Sequence, residues 1–416
     1  MSRNPPAATM PALQFDFNLW KLAKSKVRGL RDKRGFWKPG GAVGIEQVPL
    51  PSLVADDWVI VKTVLAGICG SDLKELTLDG AVDNPLQTFL SFPQIMGHEV
   101  VGIIDRVGPA VKLVKAGARV AVNPWFSCRP RGIKPECPRC AQGDYSHCHN
   151  FTRGQIPPGM HLGVARGFGG FAPYLAVHES QCFAIPEGVS SEAAVLADPF
   201  CVAFHSCLSL APKPDSTVLV YGLGIIGLVT VICLKNLFEV KHVLAVGRYP
   251  FQQEAALRLG AEQVFTTGGG KLVEEVAAFM GAELYTPDLG SKWAMDGVDG
   301  IIDTIASAET LEAGMRFLTT QGRLVFTGVA TPKRCENTPH YFKELEIMGS
   351  NSFAVENYHG RRAHAFEFFL NFLADKTIDL SGLVTHKFPL AGYRQAFDTL
   401  VSKQGARAVK VVFDFT

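Results

Sequence analysis

The sequence lacks a long hydrophobic run, an excess of charge of one sign and any low-complexity segment. No apolar stretch reaches the length that a bilayer-spanning helix needs, so we expect no membrane partner. Lysine and arginine number 41 against 39 aspartate and glutamate residues, a formal net charge of +2. So small an excess gives no sign of a nucleic-acid partner. The first residues contain prolines but no continuous apolar segment, which argues against a secretory signal and predicts a disordered tail over residues 1–14.

The chain also lacks the features of a disulfide-stabilised protein. Its 416 residues far exceed the size of the small secreted domains that depend on cystine bridges. Four of the ten cysteines lie between Cys128 and Cys148, a density that indicates metal binding. Apart from Cys69, the others lie in apolar surroundings and are predicted to be small buried hydrophobic residues. We therefore expect a reducing compartment, the cytoplasm.

Residues from about 41 to 181 contain short strand-like segments interrupted by glycine and proline. Such spacing is typical of an all-β lobe that is partly barrel-shaped. The predicted strands are Trp58–Leu65, Val100–Val107, Arg119–Val122 and Phe171–Val177.

From about Ser191 onward, strand-like and helix-like segments alternate, which predicts a doubly wound parallel sheet. After residue 349 the pattern changes again, with a helix predicted at Arg361–Ala374 and a last strand near Val409–Phe413. Residues 281–295 have the character of an inserted surface loop. The alternating elements are the strands Val218–Tyr221, Val243–Val246, Gln263–Phe265, Gly300–Asp303 and Arg323–Thr327, and the helices Ile225–Phe238, Phe251–Leu259 and Leu311–Leu318.

Two short stretches bring together residue types that carry metal chemistry. The first, directly after the strand Trp58–Leu65, contains Cys69, Ser71 and Asp72. A cysteine thiolate can ligate a metal, a serine hydroxyl can pass on a proton, and an aspartate can hold a ligating histidine in the required tautomer. The second stretch adds His98 and Glu99, followed by the strand Val100–Val107.

With these stretches and their glycines, the chain resembles the zinc-containing medium-chain dehydrogenase/reductase family, which includes alcohol, sorbitol and threonine dehydrogenases. The resemblance extends from about Pro39 over nearly the whole chain. It implies a GroES-like, partly barrel-shaped catalytic domain formed by residues 15–200 and 349–416. A Rossmann domain for a dinucleotide would lie between them, over residues 201–348, so that the fold class is α/β plus β.

The resemblance places a catalytic zinc on Cys69, His98 and Asp198. One thiolate, one neutral imidazole and one carboxylate carry the same total charge as the two thiolates and imidazole of other family members. Three protein ligands leave the fourth position for water or substrate, as catalytic zinc sites do. Glu99 is then a carboxylate near the metal. The alternative for Asp198, which precedes a proline, is a turn or a helix N-cap.

A second, structural zinc is predicted on Cys128, Cys137, Cys140 and Cys148. The last three match the family spacing, but eight residues separate Cys128 from Cys137, where the family has two. A longer loop does not prevent a tetrahedral site of four thiolates, because the metal constrains the sulfur positions. Trp125 and Phe126, just before this segment, are candidates either for a substrate-pocket wall or for the core.

A glycine pattern after the strand Val218–Tyr221 predicts a dinucleotide site. Gly222 makes the turn, Gly224 lets the backbone approach a pyrophosphate, and Gly227 lets helix and strand pack closely. Ile225 and Ile226 begin the helix whose N-terminus faces the anion.

The end of the second strand predicts NADP rather than NAD. Gly247 stands where an acidic residue accepts from the ribose of NAD, and Arg248 can pair with a 2′-phosphate. The alternative is a surface arginine without a role. By resemblance, Gly328 and Val329 would hold the nicotinamide carboxamide through their backbone, and Lys410 would reach the pyrophosphate.

These residues predict a zinc-dependent oxidoreductase that moves a hydride between NADP(H) and a secondary alcohol, polyol or aldehyde. Zinc-free quinone or enoyl reductase chemistry is one alternative, although the three metal-ligand candidates argue against it. A catalytically silent NADPH-binding protein is another, since a fold does not determine function. The family leads us to expect a small-molecule substrate and a homo-oligomer, either a dimer or a tetramer.

Overall fold

The chain begins with a small sheet and a helix. The structure is a computed structural model that describes residues 8–81, 83–266, 268–331 and 333–416. The first elements are β1 (Thr9–Phe15), α1 (Leu19–Gly29) and β2 (Val43–Pro49), with β1 antiparallel to β2. The prediction of a disordered tail was wrong for residues 9–14, because Met10, Ala12 and Leu13 are buried against the body of the protein. Residues 1–7 of that prediction lie outside the described residues.

The next segment forms the β lobe. Four strands were predicted there, and Arg119–Val122 has the observed bounds. The strand predicted at Trp58–Leu65 extends two residues further, and the one predicted at Val100–Val107 begins one residue earlier. The strand predicted at Phe171–Val177 begins three residues later, at Tyr174. The elements are β3 (Trp58–Gly67), α2 (Gly70–Leu76), β4 (Gln94–Ile95), β5 (Glu99–Val107), β6 (Arg119–Val122), α3 (Pro138–Ala141), β7 (Tyr174–His178), β8 (Cys182–Ala184), α4 (Ser191–Ala194) and α5 (Ala197–Leu210).

The predicted doubly wound sheet follows and is parallel throughout. Its strand order is Gln263–Phe265, His242–Val246, Thr217–Tyr221, Val298–Asp303, Leu318–Phe326 and Glu346–Gly349. Its central strands are buried on both faces, as apolar strands covered by helices must be. The elements are β9 (Thr217–Tyr221), α6 (Ile225–Asn236), β10 (His242–Val246), α7 (Pro250–Arg258), β11 (Gln263–Phe265), α8 (Gly269–Met280), β12 (Leu284–Tyr285), β13 (Trp293–Ala294), β14 (Val298–Asp303), α9 (Ala308–Phe317), β15 (Leu318–Phe326), α10 (Thr338–Phe342) and β16 (Glu346–Gly349).

The segment 281–295 is more ordered than a plain surface loop. It contains the short hairpin of β12 and β13. The Trp293 ring contacts Tyr285 and Phe342, with centroid distances of 5.1 and 5.9 Å. The second contact packs the hairpin against the helix Thr338–Phe342.

The last segment returns to the β lobe. The strand β20 pairs with β3, which places the chain's end in the sheet β19-β20-β3-β5-β6-β8, with β7 also on β3. The helix predicted at Arg361–Ala374 begins only at Ala365, since Arg361–His364 forms a strand and His364 caps the helix. The elements are β17 (Val355–Tyr358), β18 (Arg361–His364), α11 (Ala365–Ala374), β19 (Val384–Phe388), α12 (Tyr393–Val401), α13 (Lys403–Ala406) and β20 (Lys410–Asp414).

The helix α5 joins the two halves of the molecule. Its Phe200 and Phe204 rings lie 4.8 and 5.8 Å from the rings of Phe369 and Phe368 on α11. Packing of this kind fixes the position of the first turn of α5, which carries Asp198. Among the described residues, no helix combines the length and apolar character needed to cross a bilayer.

Candidate active site

The turn between β3 and α2 positions a cysteine and the groups around it. Cys69 is the N-cap residue of α2, and its backbone N–H donates to Asp72 Oδ2 at 2.8 Å. The other carboxylate oxygen of Asp72 lies 3.6 Å from Nδ1 of His98. Asp72 therefore lies between the cysteine turn and the histidine, and its role in orienting His98 remains a prediction.

Three potential ligands meet at this turn. The Sγ of Cys69, a ring nitrogen of His98 and a carboxylate oxygen of Glu99 all lie within 4.8 Å of one another. The register of the β lobe explains their approach, because Gly67 at the end of β3 pairs with Glu99 at the start of β5. We call these three residues the open cluster, since Cys69 is partly accessible.

The open cluster differs from the predicted ligand set in its carboxylate. It contains Glu99, whereas the predicted third ligand, Asp198, is not one of its members. The role of Asp198 as a zinc ligand remains a prediction. Asp198 is nevertheless buried, with 8% of its surface exposed, and lies close enough to His98 and Glu99 to feel their charges. Burial raises the pKa of Asp198 to about 7, while the charge of His98 lowers it and that of Glu99 raises it. The strand pairing that carries Glu99 inward could not be read from its position after His98.

Lys410 faces the open cluster. It is 1% exposed, forms an ion pair with Glu99 and donates to the carbonyl oxygen of Ile68 at 3.0 Å. The pairing of β20 with β3 carries this ammonium into the interior. Its contact with a pyrophosphate remains a prediction.

The charges of the open cluster favour a bound cation. Burial lowers the pKa of His98, but the negative charges of Asp72 and Cys69 outweigh it and raise the pKa well above its usual value. The same negative charges attract a metal cation. Thiolate, imidazole and carboxylate are together the donor set of zinc and not of magnesium or calcium. The residues present therefore fit a zinc ion.

Ser71 lies two residues beyond Cys69, in the first turn of α2, and its side chain is exposed. A hydroxyl in this position has access to solvent. Its role in moving a proton remains a prediction.

The sequence reasoning missed one residue beside the open cluster, His161. Its ring centroid lies 5.0 Å from that of His98 and 5.5 Å from that of Trp125. Its Nδ1 lies 2.5 Å from the carbonyl oxygen of Leu162, which places the proton on Nδ1 and leaves Nε2 as an acceptor. A single histidine in a glycine-rich loop offers no sequence signal. Of the two aromatic candidates, Phe126 is fully buried in the core, whereas Trp125 is the one next to His161.

The four cysteines predicted as a structural site meet in one place, and we call them the closed cluster. Cys128, Cys137, Cys140 and Cys148 are all buried, and their sulfur atoms lie within 4.8 Å of one another. The Sγ atoms of Cys128 and Cys148 are 3.7 Å apart, close to the roughly 3.8 Å between thiolates that each lie about 2.3 Å from a tetrahedral zinc. The long loop after Cys128 therefore does not prevent this residue from joining the group.

That long loop contributes a buried arginine. Arg131 donates to the carbonyl oxygens of Phe126, Arg153, Ile156, Pro157 and Gly159, all on the segments that flank the cysteines. Burial lowers the pKa of Arg131 to about 10, and the negative charges assigned to Cys148 and Cys128 oppose this shift. The side chain thus ties the loops of the closed cluster together.

The glycine turn after β9 has the predicted geometry. Gly222 has a φ of +95°, which favours glycine. A Cβ on Gly227 would lie 1.8 Å from the carbonyl oxygen of Gly222, so only glycine fits there. Gly224 caps α6 without a side-chain hydrogen bond, and Ile225 and Ile226 form its first turn. The N-terminus of α6 is therefore free to receive an anion.

The remaining coenzyme candidates lie at the carboxyl edge of the parallel sheet. Arg248 follows β10, is exposed, and makes no hydrogen bond or ion pair with the described residues. A Cβ on Gly247 would lie 2.5 Å from Cδ1 of Leu223, so packing alone accounts for this glycine. Gly328 and Val329 follow β15, and the carbonyl oxygen of Val329 accepts from Lys74 on α2 at 2.5 Å.

Comparison with known proteins identifies the family. Residues 55–187 match the model of the alcohol dehydrogenase GroES-like domain, and residues 226–369 match that of the zinc-binding dehydrogenase. Together the two matches span well over half of the chain. The chain belongs to the zinc-type medium-chain alcohol and sorbitol dehydrogenase family. Its fold is therefore a GroES-like lobe with a Rossmann domain, and it is an alcohol dehydrogenase enzyme.

Several dehydrogenases resemble the chain over most of its length. Sorbitol dehydrogenase of Bacillus subtilis is 28% identical, with 86% of this chain and 90% of that protein covered. L-idonate 5-dehydrogenase of Vitis vinifera is 29% identical, with 89% and 91% covered. An alcohol dehydrogenase from E. coli CFT073, solved with NADH, is 26% identical with a TM-score of 0.74, covering 98% of this chain and all of that chain.

Proposed function

We propose that this medium-chain dehydrogenase binds zinc at the open cluster and moves a hydride between NADP(H) and a secondary alcohol, polyol or aldehyde. The observation that carries the proposal is the meeting of Cys69, His98 and Glu99 beside the Rossmann domain. The contact from Lys74 on α2 to Val329 joins the cluster's helix to the carboxyl edge of the parallel sheet. Coenzymes bind at this edge in doubly wound folds.

The residues of the cluster have distinct tasks in this proposal. Bound zinc supplies a Lewis acid for the substrate oxygen, and nicotinamide supplies the hydride acceptor. Asp72 orients His98 from 3.6 Å, and Lys410 balances the charge of Glu99. The exposed hydroxyl of Ser71 passes the proton of the substrate hydroxyl to solvent. Asp198, buried nearby, adds negative charge that holds a cation in place.

Metal analysis and a substrate screen test this function. Elemental analysis of freshly purified protein should find two zinc ions per chain, one for each cluster. A screen of secondary alcohols, polyols and aldehydes with both coenzymes should find turnover. Protein that contains no zinc would contradict the metal assignment. Protein that contains zinc but turns over none of the screened compounds would favour the alternative, a catalytically silent coenzyme-binding protein. A homo-oligomer and a cytoplasmic location remain predictions.

The preference for NADP rests on Arg248 alone, since packing against Leu223 accounts for Gly247. A charge-assisted contact to a 2′-phosphate contributes about 1.5–3 kcal/mol, roughly ten- to a hundredfold in affinity. Arg248→Ala should therefore lower kcat/KM for NADP by this factor and leave that for NAD nearly unchanged. Arg258→Ala removes another exposed arginine, from α7, and should change neither value.

If the wild-type enzyme instead prefers NAD, Arg248 is a surface arginine without a role in coenzyme binding. The substitution Gly247→Asp is not a clean test, because its Cβ would meet Leu223 and disturb the glycine turn.

A further inference from the structure

The helix α1 has an apolar face that points away from the protein. The exposed fractions are 72% for Leu19, 87% for Trp20, 68% for Val27 and 79% for Leu30. At about 100° per residue these side chains fall within roughly a third of the helix circumference, together with Ala23. The opposite side holds the helix in place through buried Leu22, which packs in the cluster that contains Phe36 and Trp37. The helix thus packs against the protein through one side and exposes an apolar face on another.

Cations surround the exposed face. Between residues 21 and 34 the chain has seven lysines and arginines and a single acidic residue, Asp32. Lys21 is near Asp16 at 3.8 Å and Arg34 near Asp398 at 3.9 Å. The exposed cations without an ion pair among the described residues are Lys24, Lys26, Arg31 and Lys33. The near-neutral charge of the whole chain conceals this local concentration.

We infer that this face of α1 docks on an anionic lipid surface, which replaces the expectation of no membrane partner, since that expectation concerned only helices that span a bilayer. We call Leu19, Trp20, Val27, Leu30, Lys24, Lys26 and Arg31 the α1 patch. A helix with apolar residues and a tryptophan on one face, flanked by lysine and arginine, lies in the interface of a bilayer and inserts its apolar side. Each cation near an anionic surface adds to the attraction. The patch lies outside the residues that match either family model.

A second copy of the chain fits the patch less well. A symmetric contact would bring the cations of one patch against those of the other, which repel. An anionic surface satisfies both the apolar side chains and the cations.

Vesicle flotation with the full-length protein tests the inference. Wild type should float with vesicles of phosphatidylcholine mixed with phosphatidylserine, not with phosphatidylcholine alone, and high salt should release it. The triple variant Lys24→Glu, Lys26→Glu, Arg31→Glu should lose about a hundredfold or more in vesicle affinity. The variant Trp20→Ala, Leu30→Ala should lose at least about tenfold.

Matched controls and a second readout separate the inference from trivial effects. Leu113 is 65% exposed, with exposed Lys112 and Lys115 beside it, so Leu113→Ala and the reversal of both lysines should leave flotation unchanged. Trp20→Phe should still float, but the vesicle-induced blue shift in tryptophan fluorescence should disappear. Unchanged thermal unfolding would show that each variant is folded.

Three results would overturn the inference. They are the absence of flotation with anionic vesicles, equal flotation with both lipid mixtures, and a wild-type oligomer in sedimentation velocity that the patch variants dissociate in the absence of lipid. The last result would assign the patch to a second copy of the chain.

Discussion

The open and closed clusters contain similar metal-binding groups but are built in different ways. The closed cluster takes four cysteines of one donor type from a single segment, Cys128–Cys148, and buries all of them. The open cluster combines three donor types from the ends of two paired strands, and leaves Cys69 partly accessible. Four like ligands without an opening suit a structural ion, whereas mixed ligands with an accessible side suit chemistry.

The two clusters also differ in what supports them. Backbone and side-chain N–H groups point at the sulfurs of the closed cluster, such as Asn150 Nδ2 to Cys128 Sγ at 3.2 Å, and Arg131 ties the loops together. Charged side chains support the open cluster, namely Asp72 beside His98 and Lys410 beside Glu99. Damage to the closed cluster should therefore affect folding, and damage to the open cluster should affect turnover.

Removing one cysteine from each cluster should produce the largest effects and the sharpest contrast. Structural zinc contributes directly to folding, with apparent binding free energies of about 10–16 kcal/mol in small zinc domains. We expect Cys140→Ala to lower Tm by about 10 °C or more. Cys69→Ala should abolish turnover but change Tm little, because the Cys69 side chain is only partly buried and the other cluster residues keep their ion pairs. Calorimetry and activity assays measure both quantities.

Elemental analysis provides the control for this pair. Each variant should retain one of the two expected zinc ions. If Cys69→Ala lowered Tm as much as Cys140→Ala, the division into an open and a closed cluster would be wrong.

Ser71→Ala should have the next largest effect, and only on the open cluster. Loss of a proton relay slows turnover by about 10²–10⁴-fold, while coenzyme affinity and Tm should stay the same. Ser71→Thr keeps the hydroxyl and should restore most of the rate. The measurement is kcat as a function of pH, with chemistry shown to be rate-limiting. An alanine variant with wild-type kcat over the whole pH range would remove Ser71 from the mechanism.

Arg131→Met should have the opposite pattern of effects: it should lower the stability of the closed cluster and leave turnover unchanged. It leaves buried carbonyl oxygens without a donor and should cost about 3–5 kcal/mol in the free energy of unfolding, measured with urea. Arg129→Met is the matched control, because Arg129 is exposed in its ion pair with Glu136, and should cost less than about 1 kcal/mol. The kcat/KM of both variants should equal that of wild type. A large fall in kcat/KM for Arg131→Met would show that the clusters are coupled.

Local patterns predicted the parts of the molecule in which neighbouring residues interact. The glycine turn from Gly222 to Gly227 and the four cysteines form within short segments, so their spacing was enough to place them together. The alternating strands and helices of the Rossmann domain were also predictable, because buried parallel strands are apolar on both faces. The strand Thr9–Phe15 was not, because Pro11 interrupts its apolar pattern.

The sequence by itself thus determined the family, the two ligand-rich segments and the coenzyme turn, all of which depend on residues close together in the chain. Only the tertiary structure decided that Glu99 meets Cys69 and His98, that Lys410 faces Glu99, and that His161 lies beside His98. The physical reason is that these contacts depend on strand register. A shift of one residue in a strand turns each side chain to the other face, and no local pattern specifies that register between distant segments.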